Sequence, residues 1–145
     1  MMQFLNILVA YDSSGFSNRA FNSALDLAEA SKSKITIATV VTGVYQPSMG
    51  FTMKYSESMM AQHRKLIKSI FERLELMANK KDVKLSLKIL QNPSVSKAIV
   101  NHANSQKYDV IVIGSHGRTG FKKLILGSVA NEVAHRVNIP VMVVK

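Results

Sequence analysis

Apolar and polar positions along this chain alternate between two patterns. Short apolar runs of strand length are separated by longer segments in which apolar residues recur every three or four positions. Residues 4–10, 35–41 and 110–113 are runs of the first kind, rich in β-branched side chains, and predict strands buried on both faces. Residues 83–89 alternate strictly, with Val83, Leu85, Leu87 and Ile89 on one face, which predicts a half-exposed strand at a sheet edge. Residues 140–144 close the chain as a last strand, with Pro140 first, where a missing N–H is tolerated.

The helical period appears between these strands. Asp12-Ser13-Ser14 supplies cap chemistry for a helix over about residues 16–31, with Phe16, Ala20, Ala24, Leu27 and Ala28 inward. The longest helix is predicted from about Lys54 to Asn79. Met59, Leu66, Ile70, Leu74 and Met77 form its stripe, and Arg64, Lys65, Lys68 and Arg73 lie off it. A third helix begins at Pro93 and turns Val95, Ala98, Ile99, His102 and Ala103 inward. A fourth opens at Gly127-Ser128 and carries Val129, Val133 and Val137 at helical spacing. Residues 43–53, with Gly43, Pro47 and Gly50, read as loop. Strands alternating with helices predict an α/β fold: an open parallel sheet with helices on both faces, in a single domain spanning residues 1–145.

Composition narrows the function. The 145 residues contain no cysteine, which excludes disulfides and thiolate metal sites. No apolar stretch approaches the roughly 18 residues of a membrane span, and no secretory segment is evident, so a cytoplasmic protein is expected. The formal net charge is +10, unevenly spread. Residues 1–53 balance three basic against three acidic side chains, whereas residues 54–88 carry nine against four and residues 89–145 seven against two. Such an excess favours anionic ligands and polyanions in general. The few aromatic residues are not interleaved with the basic ones, so no stacking platform for single-stranded nucleic acid is present and nucleic-acid binding is not the favoured reading.

The chemistry concentrates at residues 111–131. An apolar strand ends at Gly114, Gly117 follows, and Gly127-Ser128 opens the last helix. Glycines at a strand end let backbone approach a ligand and adopt positive φ. A Gly-Ser helix start offers backbone N–H groups and a hydroxyl to an anion. Together they form a two-part phosphate cradle. The spacing is neither the dinucleotide fingerprint nor a Walker A loop. Ser128 can equally serve as a plain helix cap, Asp12 as the cap of the first helix, and His116 as a structural or solvent-facing histidine. His63, His102 and His135 share no metal-site spacing. No nucleophile elbow, P-loop lysine or arginine finger is evident, so a dedicated enzyme is not predicted and slow hydrolysis of a bound phosphate ligand is the most this chemistry supports.

The spacing Gly-x2-Gly-x9-Gly-Ser on a strand–loop–helix resembles the signature of the ATP-binding branch of the universal stress protein family. The opening Asn6-Ile-Leu-Val-Ala-Tyr-Asp12-Ser-Ser and the ending Asn138-Ile-Pro-Val-Met-Val-Val-Lys145 resemble that family's first and last strands. Gln91, two residues before Pro93, departs from it, since the family carries glycine there.

The resemblance implies the strand order 3-2-1-4-5, which places residues 4–10 and 110–113 side by side at the switch point where open sheets bind ligands. It implies ATP, or AMP or ADP, held by backbone amides of Gly117, Arg118, Ser128 and Val129 and by the Ser128 hydroxyl. Asp12 would lie at the ribose or at a Mg²⁺ bridged to phosphate oxygens. The Val41 backbone would pair with adenine, and Tyr11, Ile113, Gly114, His116 and Gly127 would line the pocket. It also implies a regulatory stress-response role, and a homodimer pairing through residues Val141–Val144, with a further, unspecified protein partner.

Overall fold

The computed structural model describes residues 3–42, 57–118, 123 and 125–145. Five parallel strands, β1 (Asn6–Ala10), β2 (Lys34–Val41), β3 (Leu85–Gln91), β4 (Val110–Gly114) and β5 (Val141–Val144), form one sheet in the order β3-β2-β1-β4-β5. Four helices connect them: α1 (Gly15–Ser31), α2 (Glu57–Asn79), α3 (Val95–Ser105) and α4 (Ser128–Arg136). The predicted order and class are those observed. The loop expected over residues 43–53, and the start of the long helix at residues 54–56, lie outside the described residues.

Strand parity explains the two layers of core. Ile7, Val9, Ile35, Ile37, Val110 and Val112 point to one face, where α1 and α2 cover them with Phe21, Leu25, Leu74 and Ala78. Leu8, Ala38, Ile111 and Ile113 point to the other, under Ile99 and Ala103 of α3 and Ala130 and Val133 of α4. Because both faces are covered, β1 from Ile7 onward and β4 had to be apolar. Phe21 is fully buried, worth about 1.5–3 kcal/mol. Leu27, placed on the inward face of α1 by the sequence pattern, packs half-buried at the margin of this core, and Phe21, Leu25 and Ser17 are buried on the same helix beyond the residues the pattern named. β3 lies at the edge as its alternation predicts, with Ser86 and Lys88 exposed, but it runs Leu85–Gln91 rather than 83–89, and Ile89, expected inward, is exposed while Leu90 packs on the opposite core.

Local caps fix the helix starts. Ser14 is the N-cap of α1 and its hydroxyl accepts the Ser17 N–H at 3.1 Å, while Lys32 ends the helix at φ 57°. α3, expected to begin at Pro93, begins at Val95 with Ser94 as its N-cap, and the Asn92 side chain accepts the Ser94 N–H at 2.9 Å. Val137 is the C-cap of α4 rather than part of it.

One carboxylate joins the two central strands at their other end. Asp109 Oδ2 accepts the N–H of Leu5 at 2.9 Å and of Asn6 at 2.8 Å, just before β4 and at the start of β1. Hydrogen bonds to a charged acceptor contribute about 1.5–3 kcal/mol each, less where solvent competes. Asp109→Ala is therefore expected to lower stability by about 2 kcal/mol. A urea midpoint unchanged from the parent protein would contradict this.

Candidate functional site

The carboxyl ends of β1 and β4 sit side by side, with Val9 opposite Val112. The chain departs from β1 into α1 and from β4 into the glycine loop, so the two connections diverge and leave a crevice between them. A cleft of about 770 Å³ opens there. All eleven residues singled out in the sequence line it: Tyr11, Asp12, Val41, Ile113, Gly114, His116, Gly117, Arg118, Gly127, Ser128 and Val129.

Asp12 holds the two connections together. Its Oδ1 accepts the Ser14 N–H at 2.9 Å, and its Oδ2 accepts the Arg118 N–H at 3.2 Å. The Arg118 Nε donates in return to the Asp12 carbonyl oxygen at 2.5 Å. The Arg118 amide, expected to face a phosphate, is thus engaged by Asp12. Half-burial works against the charged carboxylate, but hydrogen bonds from the Ser14 side chain and backbone, from Ser17 and from the Arg118 backbone outweigh it. They hold the Asp12 carboxyl below its ordinary value of 3.8. A folded-state pKa below the unfolded one stabilises the fold above the unfolded value and loses that contribution as pH falls through the folded one. The expected result is a fall in stability below about pH 4 that is smaller in Asp12→Asn. Parallel pH-stability curves for the two proteins would count against it.

The glycines serve different ends. A Cβ on Gly114 would lie 2.8 Å from both the carbonyl carbon and the Cβ of Phe16, so this glycine lets α1 pack on the end of β4. A Cβ on Gly127 would lie 2.9 Å from the Ser115 carbonyl oxygen and 3.1 Å from the His116 Cα. Among the described residues, a Cβ on Gly117 would meet only the Asp12 carboxylate, at 3.2 Å. Neither Gly114 nor Gly117 adopts the left-handed region expected of them. That conformation falls instead to Ser13, at φ 67°, in the β1–α1 connection lining the cleft.

Gly127 is the N-cap of α4 and makes no side-chain cap bond. Its N–H donates to the Ser115 carbonyl at 2.6 Å, which brings the glycine loop against the helix start. Ser128 is therefore the first helical residue rather than the cap, and it is exposed at the cleft. First-turn amides at a helix start carry partial positive charge. The Ser115 hydroxyl and His116 Nδ1 lie 3.0 Å apart, and the His116 ring packs on Phe16.

At the far end of the cleft, the Tyr11 hydroxyl donates to Asn18 Oδ1 at 2.6 Å and accepts from Arg73 Nη2 at 3.1 Å. The Val41 carbonyl takes the Asn92 N–H at 3.3 Å. Sequence reasoning missed the wall supplied by α2: His63, Leu66, Ile67, Ile70 and Phe71 line the cleft. The signal was an apolar stripe on α2 broader than a single core contact needs. Leu66 in fact stands 58% exposed there, although the helical pattern placed it in the core. Among the described residues, no three His, Asp or Glu side chains gather in a way that could hold a metal ion, and no helix is long and apolar enough to cross a membrane.

These features define a doubly wound α/β protein with its cleft at the topological switch point. The chain belongs to the universal stress protein family, whose profile matches residues 3–145. It is 28% identical to universal stress protein YxiE of Bacillus subtilis over 148 residues, covering 98% of this chain and 99% of that protein. Universal stress protein UspA from Lactobacillus plantarum shares the fold with a TM-score of 0.84 at 23% identity, covering 99% of both chains. A universal stress protein solved in complex with cAMP has a TM-score of 0.73 at 24% identity, covering 99% of this chain and 98% of that one. One from Archaeoglobus fulgidus, solved in complex with dAMP, has a TM-score of 0.70 at 20% identity, covering 99% and 100%.

Proposed function

We propose that this chain is an ATP-binding regulatory protein of the stress response, in which occupancy of the cleft alters a surface used by a second copy or another partner. The observation that carries this is the convergence of β1, the glycine loop and the uncapped start of α4 on one cleft of nucleotide size. The cAMP and dAMP complexes of structurally similar proteins support adenine nucleotides as the ligand class.

The amides of Gly117, Ser128 and Val129 and the Ser128 hydroxyl are the proposed phosphate ligands, with Arg118 beside them. The apolar end, with Tyr11, Val41 and Ile113, takes the base. Asp12 is a single carboxylate, which suits a Mg²⁺ that arrives on the phosphates and not one held by protein alone. The proposed setting is the cytoplasm. The proposed assembly is a homodimer through edge strand β5, where Met142 and Val143 are more than a third exposed.

Calorimetric titration with Mg-ATP beside Mg-GTP tests the reading. Micromolar or tighter ATP binding, at least tenfold tighter than GTP, is the expected result. Absence of ATP binding to the nucleotide-free protein would overturn it.

A further inference from the structure

The cleft crosses the carboxyl end of the sheet from one layer of core to the other. At one end, beside the glycine loop and the start of α4, it is lined by Ile99, Ile113 and Ala130 of the α3–α4 layer. At the other end it is lined by Ile37 and Leu87, neighbours in register on β2 and β3, which point into the layer under α2. Tyr11 and Val41 lie between the two. Phosphates and base, placed as proposed, take up the first end and the middle. The limb beneath α2 is left over.

This limb exists because α2 docks on the sheet by its second half. Leu74 and Ala78 are 1% and 0% exposed, whereas earlier in the helix Ile67, Ile70 and Phe71 are half-buried and Leu66 is exposed. These four earlier side chains all line the cleft. Among the described residues lining the limb there is no Asp, Glu, Lys or Arg, so it offers a ligand apolar contact and no charge. Apolar side chains left against water gain burial free energy when an apolar group covers them.

The chemistry of an adenine nucleotide fixes what reaches this limb. The base is joined to ribose through N9, and the exocyclic N6 lies on the opposite edge of the purine. With phosphates at the start of α4 and the base among Tyr11, Val41 and Ile113, that edge is turned along the cleft toward α2. The Val41 carbonyl accepts the Asn92 N–H at 3.3 Å and has a second lone pair, while an N6 bearing one substituent keeps one N–H to donate. We infer that the cleft takes adenine nucleotides carrying a branched-alkyl or benzyl group on N6, and that the limb between α2 and the sheet holds this group. The inference rests on the proposed nucleotide binding and narrows its ligand class.

Calorimetry on the full chain with Mg-ATP and with the magnesium complex of N6-benzyl-ATP tests it. The benzyl nucleotide is expected to bind at least about fivefold more tightly than ATP, as burial of an aromatic ring in an apolar limb requires. It should also shift the methyl resonances of Ile67 and Ile70 beyond any shift that ATP produces. Leu66→Glu changes an exposed helix position, and circular dichroism checks its fold. In this variant the preference for the benzyl nucleotide should fall below about twofold, and in Leu66→Met it should persist. ATP binding with a smaller preference in the parent protein, or a preference that survives Leu66→Glu, overturns the inference and leaves the ATP reading standing. Binding of the benzyl nucleotide by a protein that does not bind ATP supports the limb and overturns the ATP reading. If neither nucleotide binds, both fall.

Discussion

Gly117→Val is expected to bind Mg-ATP at least about 100-fold more weakly than the parent protein while staying folded, a loss of about 2.7 kcal/mol in binding. The Cβ alone would lie 3.2 Å from Asp12 Oδ2, its only close neighbour among the described residues. A carboxylate end can shift by a few tenths of an ångström, so the backbone need not move. The two added methyl groups occupy cleft space beside the amides proposed to hold phosphate, where a ligand oxygen would need close approach. Displacing Asp12 also weakens its bond from the Arg118 N–H, at about 1–2 kcal/mol of stability, or a few degrees in Tm. Circular dichroism establishes the fold and calorimetry the affinity. A folded variant that binds ATP within threefold of the parent would remove Gly117 from the cradle. Gly127→Val is a poorer test, because its Cβ meets backbone atoms of Ser115 and His116 and would move the loop itself.

The parts of this architecture that were legible in the sequence are those set by burial on two faces. β1 and β4 had to be continuous apolar runs because helices cover both sides of them, and β3 alternates because it lies at an edge. The crevice was legible because its position follows from strand order, and the eleven lining residues named from the sequence flank the ends of three strands and the start of α4. The order itself came through the family resemblance, since periodicity does not rank strands.

What stayed hidden depends on tertiary approach. Nothing in the spacing of Gly114 and Gly127 distinguishes a glycine that admits a ligand from one that admits another backbone, and both turn out to be of the second kind. The Asp109 bonds to Leu5 and Asn6 join residues more than 100 positions apart, and the local sequence carries no trace of them. The α2 wall was missed because Leu66 and Phe71 fit a helical stripe equally well whether they face a core or a cleft. Ser128 was open to the cap reading, but Gly127 takes the cap position and frees the Ser128 hydroxyl to face the cleft.

The same sorting of glycines predicts that Gly114→Ala damages the fold more than Gly117→Ala does. The new Cβ would lie 2.8 Å from the Phe16 carbonyl carbon and Cβ and 3.0 Å from its carbonyl oxygen. Two of these three are backbone atoms at the start of α1, so relief requires α1 to move from the end of β4, which is fully buried. Overpacking of this kind costs about 1–3 kcal/mol, whereas the lower chain entropy of the unfolded alanine protein returns only about 0.4–1 kcal/mol. Packing strain wins, and Gly114→Ala should lose about 1–2 kcal/mol, with valine losing more. At about 2–4 °C per kcal/mol, Tm falls by several degrees. Gly117→Ala, which among the described residues faces only a movable carboxylate, should stay within about 0.5 kcal/mol of the parent by the same urea titration, consistent with the small effects seen away from packed sites. The ranking is the test: if Gly117→Ala is the less stable of the two, the loop glycine carries the packing and the strand-end glycine is the one left for a ligand.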